Sequence, residues 1–313
     1  PRTNARGLME SRQTISTSFA TIRTWGEMIK FSHSVFALPF ALMATFLAGR
    51  NMPGGLPTAG QVALIIACMV AARSFAMTFN RIADATIDAR NPRTAGRPIL
   101  TGRISRGAAQ AFAAACAAGF VAACYGFRGF FDNPWPLYLS APTLILLAGY
   151  SFTKRFTSAA HFVLGIAIGF APLAAWIAIH PPTAGWPAVV LTAAVMLWIA
   201  GFDIIYACQD IEVDRREGLF SIPARLGVAR ALVVSRACHV AAVGLLIALG
   251  LIAPFGWVYW IAVAVTAVLL TAEQSVVKPD DLSRVNLAFF ALNGCVSLSL
   301  GAAAIADLLL LGR

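Results

Sequence analysis

Charge is what this sequence has least of. Only 12% of its 313 residues are charged, against about 25% in an ordinary soluble domain. A chain so poor in charge is excluded from the water-soluble globular class. Histidine and cysteine are scarce too. His33, His161, His180 and His239 are scattered along the chain, so no histidine metal cluster is expected. The six cysteines, at 68, 116, 124, 208, 238 and 295, form no CxxC pair. They are expected as free thiols acting as small apolar side chains, with neither a disulfide framework nor a zinc site.

What fills the chain instead is apolar: 59% of it is hydrophobic. The apolar residues gather in runs of about 20, the length that crosses a bilayer's hydrocarbon core. Nine spans are predicted, over 33–50, 61–82, 107–127, 135–152, 159–180, 186–208, 231–253, 255–273 and 286–311. Glycine and proline inside several of them are tolerated in membrane helices. The expected fold is all-α, a polytopic bundle of nine transmembrane helices. Residues 1–24 are expected as a flexible basic cytoplasmic tail before a membrane domain over 25–313. The apolar run after the tail is too long for a signal-peptide core, and no cleavage site follows it.

A net charge of +10 raises the question of nucleic acid. Its distribution points to a membrane instead. With the first tail in the cytoplasm, 20 of the 24 basic residues fall in inner segments. Only Arg50, Arg128 and Arg313 fall outside, and Arg73 lies within a span. This is the positive-inside pattern. The outer connections, such as "HPPTAGWP" and "APFG", are short and nearly uncharged. The inner ones are long and charged, so chemistry is expected on the cytoplasmic side.

Two inner segments stand out. Span two ends in "NRIADATIDARNPRTAGRPI", Asn80 to Ile99. Span six ends in "DIIYACQDIEVDRREGLFSIPARLG", Asp203 to Gly227. Both place aspartates four apart, then arginines, then a glycine or proline break. The match suggests two four-helix pseudo-repeats plus a ninth helix, with the two acidic ends facing each other. Asn80, Asp84 and Asp88 recur at i, i+4, i+8, so one helix face carries all three. Asp203, Tyr206, Asp210 and Asp214 share a face in the same way. Oxygen-only clusters of this kind suit Mg²⁺, which binds jointly to carboxylates, water and substrate phosphates. Two of them suggest Mg²⁺ ions clamping a diphosphate. The competing reading is a solvated helix end whose carboxylates pair with neighbouring arginines. That reading explains one motif more readily than two at matching positions.

Arg93 and Arg97 follow the first motif, and arginine's planar fork suits phosphate oxygens. Lys154 and Arg155, at the inner end of span four, are placed to reach the same diphosphate. Membrane-topology charge is the alternative for each of them. Arg73 points along the Asn80 face about 10 Å deeper. A cation at that depth needs an anion: a substrate carboxylate, or a motif aspartate. Phe36, Phe40, Phe75, Phe79, Phe152, Phe156 and Trp198 crowd the inner ends of spans. Aromatic faces stabilise cations, so some are candidates to flank a carbocation, weighed against core or lipid packing.

These motifs resemble the paired NxxxDxxxD and YxxxDxxxD signatures of the UbiA superfamily of intramembrane prenyltransferases. "FSHSVFALPFALMATFLA" is similar to the family's first helix, and the likeness covers about residues 25–311. Within the superfamily it is nearest the 4-hydroxybenzoate polyprenyltransferase branch. The wording "YACQDIEVDRREGLFSIPARLG" is also similar to enzymes that prenylate a dihydroxynaphthoate in menaquinone synthesis.

The resemblance implies a multi-pass protein of the bacterial inner membrane, with a central cavity open to the cytoplasm and laterally to lipid. It implies Mg²⁺-dependent transfer of a polyprenyl group from a polyprenyl diphosphate to an aromatic carboxylic acid. Asn80, Asp84, Asp88, Asp210 and Asp214 would bind Mg²⁺-diphosphate, with Asp203 in support. Arg93 and Lys154 would contact the diphosphate, with Arg97 and Tyr206 in the same region. Arg73 and Tyr150 would lie near the acceptor or the reacting carbon. One departure is that several relatives have a lysine just after the second motif, where this chain has Arg215, Arg216 and Glu217. A membrane transporter is the rival class, and it would set its ionisable residues near the bilayer midplane.

Overall fold

A computed structural model describes residues 23–29 and 36–310. The tail expected over 1–24 therefore lies outside the described residues apart from Arg23 and Thr24. So do Lys30, His33 and Arg313.

The chain folds as α1 (Leu38–Gly49), α2 (Ala59–Ala83), α3 (Arg106–Phe131), α4 (Trp135–Thr153), α5 (Ala160–Gly169), α6 (Ala171–Ile179), α7 (Trp186–Ala207), α8 (Val228–Ile252), α9 (Trp257–Val276) and α10 (Asn293–Leu310). Short helical turns cover Ala85–Asp88, Cys208–Asp210, Ile211–Arg216 and Ile222–Leu226. Among the described residues the one β contact is an isolated bridge between Lys278 and Asp281.

Seven helical stretches are long and apolar enough to cross a membrane: α2, α3, α5 with α6, α7 with the turns after it, α8, α9, and α10 with the turn before it. The first and fourth expected spans differ. α1 is a shorter apolar helix of 12 residues that starts at Leu38, after a turn at Phe36 and Ala37. α4 has 19 residues but carries Pro142 within it and polar side chains along it. The fifth span is broken at Phe170, between α5 and α6. Pro172 explains the break, since proline lacks an N–H and its ring crowds the carbonyl four residues back. The last span opens with a π turn, Leu287–Leu292.

Helix starts follow local capping rules. Thr58 and Gln61 form a reciprocal capping box on α2, and the Ser105 hydroxyl caps α3. Asp307, buried in α10, accepts hydrogen bonds from the backbone N–H groups of Gly256, Val258 and Tyr259 at the start of α9. A carboxylate there also suits the positive end of the helix dipole.

The helices close into a ring. α2 packs on α3 and α4, α5 on α7, α7 on α8, α9 on α10, and α10 on α1, which meets α6. Small residues allow the close approaches, as in other membrane bundles. A Cβ on Gly165 would lie 2.5 Å from the Met196 carbonyl oxygen, and one on Gly301 would lie 2.5 Å from the Pro39 ring. The main core joins α1, α6, α7, α8, α9 and α10. On the other side of the ring, α2 and α4 leave a cavity beside α7.

Candidate active site

The cavity holds about 720 Å³ and is lined by residues of α1 to α7, the segment after each acidic motif, and Phe289. Ile65 and Asp84, both in its wall, are about 28 Å apart along helical rise. One end is charged: Asp84, Asp88, Arg93, Arg97, Lys154, Asp210 and Asp214 line it. The other is apolar, with Ile65, Leu139, Leu173 and Ile177 among its walls.

Both acidic motifs sit where a long helix breaks. α2 ends at Ala83, and Asp84 has φ −94° and ψ 4°. α7 ends at Ala207, and Asp210 has φ −106° and ψ 6°. This bridge conformation is common in active-site residues. The expectation of one unbroken helical face for Asn80, Asp84 and Asp88 is thus corrected. The break is mild, however. The Asp84 N–H still reaches the Asn80 carbonyl at 2.9 Å, and the Asp88 N–H reaches that of Asp84 at 2.8 Å. The three side chains stay on one cavity wall.

The two motifs meet through the segment after the first. Arg93 donates from Nε and Nη2 to both Asp210 oxygens, at 3.0 and 2.5 Å, and from Nη1 to the Tyr206 hydroxyl at 2.8 Å. Asn91 Nδ2 also donates to Asp210 Oδ1, at 2.8 Å. Burial disfavours the Arg93 cation, but the hydrogen bond and charge of Asp210 outweigh it and hold the proton more tightly than usual. Lys154 Nζ lies 2.6 Å from Asp84 Oδ2, and Arg155 lies 3.3 Å from Asp84 Oδ1. Arg97 pairs with Asp88. Asn80 donates to Asp84 at 3.0 Å. Outside the cavity, Arg90 pairs with Glu217 at 2.7 Å and Arg216 donates to the Arg90 carbonyl at 2.6 Å. The Arg90 hydrogen bond holds the Glu217 carboxyl below its ordinary range. Arg216 and Glu217, just after the second motif, therefore staple the two loops together rather than face the site.

These ion pairs match part of the solvated-end reading, yet the aspartates of the first motif are not solvated. Asp84 is 1% exposed and Asp88 6%. Among the described residues no group of three or more His, Cys, Asp or Glu side chains gathers closely enough to hold a metal alone. Mg²⁺ takes one or two carboxylates and completes its shell with water and substrate phosphates. The donors facing the cavity are hard oxygens, as Mg²⁺ prefers.

Deeper in, Arg73 lines the cavity, and its buried Nε has no hydrogen-bond partner. The pairing with a motif aspartate is thus not formed. Tyr150 lines the same region. Asp203 lies within hydrogen-bond distance of His161 Nδ1, at 2.7 Å, while His161 Nε2 accepts from the Ile222 N–H at 3.3 Å. Nε2 is therefore the acceptor and Nδ1–H the donor to Asp203. Neither His161 nor Asn91 was singled out from the sequence. Asn91 sits in "NPR" beside Arg93, a usable signal, whereas nothing near His161 in the sequence points to Asp203.

The aromatic expectation needs correction. Of the seven rings expected near the inner ends of spans, only Phe36 lines the cavity. Phe75, Phe79 and Phe152 pack on one another outside it, and Phe156 is exposed. Phe40 and Trp198 are core. The cavity's charged half is walled instead by Phe202, Tyr206, Phe220 and Phe289. Helix rotation, which no single-sequence pattern resolves in an all-apolar helix, decides this.

The UbiA prenyltransferase family profile matches residues 37–294. The chain is 32% identical to a 4-hydroxybenzoate solanesyltransferase of Synechocystis sp. over 73% of its length and 74% of the relative's. It is 28% identical to a 4-hydroxybenzoate octaprenyltransferase of Neisseria gonorrhoeae, over 76% and 78%. The structure of a UbiA homolog from Aeropyrum pernix K1 superposes with TM-score 0.78 at 35% identity, covering 88% of this chain and 98% of that one. A UbiA homolog from Archaeoglobus fulgidus bound to GPP and Mg²⁺ shares the fold, with TM-score 0.63 at 20% identity over 90% and 99%.

Proposed function

Since the chain belongs to the UbiA prenyltransferase family, we propose that it transfers a polyprenyl group from a polyprenyl diphosphate to the ring of an aromatic acid. The favoured acceptor is 4-hydroxybenzoate, for which similar relatives are named. One observation carries the reading: two aspartate-bearing helix breaks converge on the charged end of a single long apolar cavity.

In this reading Asn80, Asp84, Asp88, Asp210 and Asp214 hold Mg²⁺, with Asp203, oriented by His161, in support. Bound Mg²⁺ supplies positive charge to the leaving diphosphate. Arg93, Arg97 and Lys154 turn from their carboxylate partners to phosphate oxygens as charge develops there. Tyr206 steadies Arg93. The allylic C–O bond breaks, the electron-rich ring carbon ortho to the phenol attacks, and the ring proton leaves. Arg73, beside Tyr150, pairs with the acceptor's carboxylate and fixes the ring's approach. The apolar walls exclude water from the cation. The prenyl tail runs along the apolar end of the cavity and out into lipid. Nine spans in two pseudo-repeats plus one, an inner-membrane location, and a cytoplasmic N-terminus and site complete the proposal.

The test is transfer by purified protein. It is incubated with Mg²⁺, labelled prenyl diphosphate and each acceptor in turn, and the products are identified by mass. Prenylated 4-hydroxybenzoate is expected. Asp84→Ala and Asp210→Ala should abolish turnover yet remain extractable as folded protein in detergent. Full activity in either variant, or label that crosses a membrane unchanged, defeats the proposal.

A further inference from the structure

A second polar cluster lies behind the cavity wall, and no step above uses it. Glu273 and Asn293 are both 0% exposed, and His239 is 3% exposed. Polar and ionisable side chains at membrane depth are costly and are candidates for function. Asn293 is the hub. Its Oδ1 accepts from Trp198 Nε1 at 2.8 Å, and its Nδ2 donates to Glu273 Oε1 at 2.8 Å and to the Ala288 carbonyl at 3.0 Å. Both amide protons and the amide oxygen of Asn293 are used, which fixes its side chain among the groups it joins, while Glu273 Oε2 and His239 Nε2 are buried without a hydrogen-bond partner.

It joins two elements of the cavity wall. Ala288 lies in the π turn Leu287–Leu292, directly before Asn293. Such turns inside helices often mark functional sites. This one presents Phe289 to the cavity, with its ring 4.2 Å from that of Tyr206 and 5.3 Å from that of Phe202. The second route runs through Trp198, whose ring lies 5.1 Å from Phe202 and 6.3 Å from Phe36. Phe36, Phe202, Tyr206 and Phe289 all line the cavity, whereas Trp198 and Asn293 do not.

We propose that Asn293, held between Glu273 and Trp198, is a positioning residue that sets this aromatic wall against the reacting allylic carbon. The inference rests on the prenyl-transfer reading. An allylic cation has two fates in the cavity. The acceptor's ring carbon forms the new C–C bond and the ring proton departs. Alternatively a water oxygen forms a C–O bond and loses a proton, giving prenyl alcohol. In both cases diphosphate is the leaving group. A wall of aromatic faces stabilises the cation and occupies the space water would need. Loosening it shifts turnovers toward the alcohol.

The experiment measures prenyl alcohol against prenylated acid, at saturating acceptor, in wild type, Asn293→Leu, Trp198→Phe, Glu273→Leu and Glu273→Gln. Asn293→Leu, Trp198→Phe and Glu273→Leu should raise the alcohol fraction tenfold or more. Glu273→Gln keeps an acceptor oxygen for Asn293 and should stay within twofold of wild type. A merely structural role would lower the melting temperature and total rate without moving this ratio. Trp198→Phe keeps an aromatic ring and removes the N–H donor, so it decides the matter if Asn293→Leu does not fold. An unchanged ratio in folded Trp198→Phe overturns the inference. A wild type that makes no prenylated acid overturns the function itself; an active wild type with an insensitive ratio overturns only the role of Asn293.

Discussion

Arg93→Lys isolates the fork that joins the two motifs. The substitution keeps the charge but replaces a planar guanidinium with a point cation. Arg93 spends all three of its guanidinium nitrogens, two on Asp210 and one on Tyr206. A lysine at this position is expected to keep two of the three contacts, one to Asp210 and one to Tyr206, and to lose the second contact to Asp210. Each hydrogen bond to a charged group is worth about 1.5–3 kcal/mol. The side chains are partly screened, with 31% of Arg93 and 16% of Asp210 exposed. The lower part of that range is therefore appropriate, about 1.5–2 kcal/mol for the lost charged contact. At about 1.4 kcal/mol per factor of ten, kcat/KM for prenyl diphosphate should fall roughly 10- to 30-fold. The result holds whether the fork orders Asp210 or moves to phosphate oxygens, since both uses need it. The assay is initial-rate product formation, with Mg²⁺ and acceptor saturating and prenyl diphosphate varied. A folded Arg93→Lys protein within twofold of wild type refutes the reasoning.

Other expectations follow from the same contacts. Arg73→Ala should raise the KM of the aromatic acid roughly 10- to 100-fold, the loss of one charge-assisted contact, with little change for prenyl diphosphate; equal effects on both would move Arg73 into the diphosphate site. Gly165→Ala pushes a methyl against the Met196 backbone at 2.5 Å. Overpacking of that kind costs about 1–3 kcal/mol, so a lower melting temperature in detergent is expected, and an unchanged melt contradicts the packing. Asp307→Ala removes the acceptor for three backbone N–H groups at the start of α9. A lost cap costs about 1–2 kcal/mol, and urea or thermal titration reads it. Chelation of divalent metal should stop transfer and added Mg²⁺ should restore it; transfer that persists in excess chelator counts against the carboxylate roles.

Much of the site was legible because charge is so rare here. In a chain with 14 acidic residues, two runs of aspartates four apart at the ends of apolar helices are conspicuous without any structure. Asn80, Asp84, Asp88, Tyr206, Asp210 and Asp214 were visible for that reason, and all of them line the cavity. Arg73 stood out because a lone cation within an apolar run needs a partner. The basic residues were harder to sort. Arg90, Arg93 and Arg97 look alike in sequence, yet Arg90 pairs outside the cavity with Glu217 while the other two line it. The break at Asp84 hid inside a pattern that also suits a straight helix, because its i to i+4 hydrogen bonds persist.

Composition and periodicity fixed the class of this protein: too few charges for water, enough apolar length for a bilayer, and hard oxygens at two helix ends. Those properties are local or additive, so a linear chain carries them openly. Which aromatic rings face the cavity, that Asn91 and Arg93 bridge to Asp210, and that His161 turns Asp203 were decided by packing alone. In an all-apolar helix every face is equally suited to burial, so rotation about the axis is set by neighbours such as Gly165 against Met196. Contacts between residues more than a hundred positions apart, like Arg93 and Asp210, exist only once the ring of helices has closed.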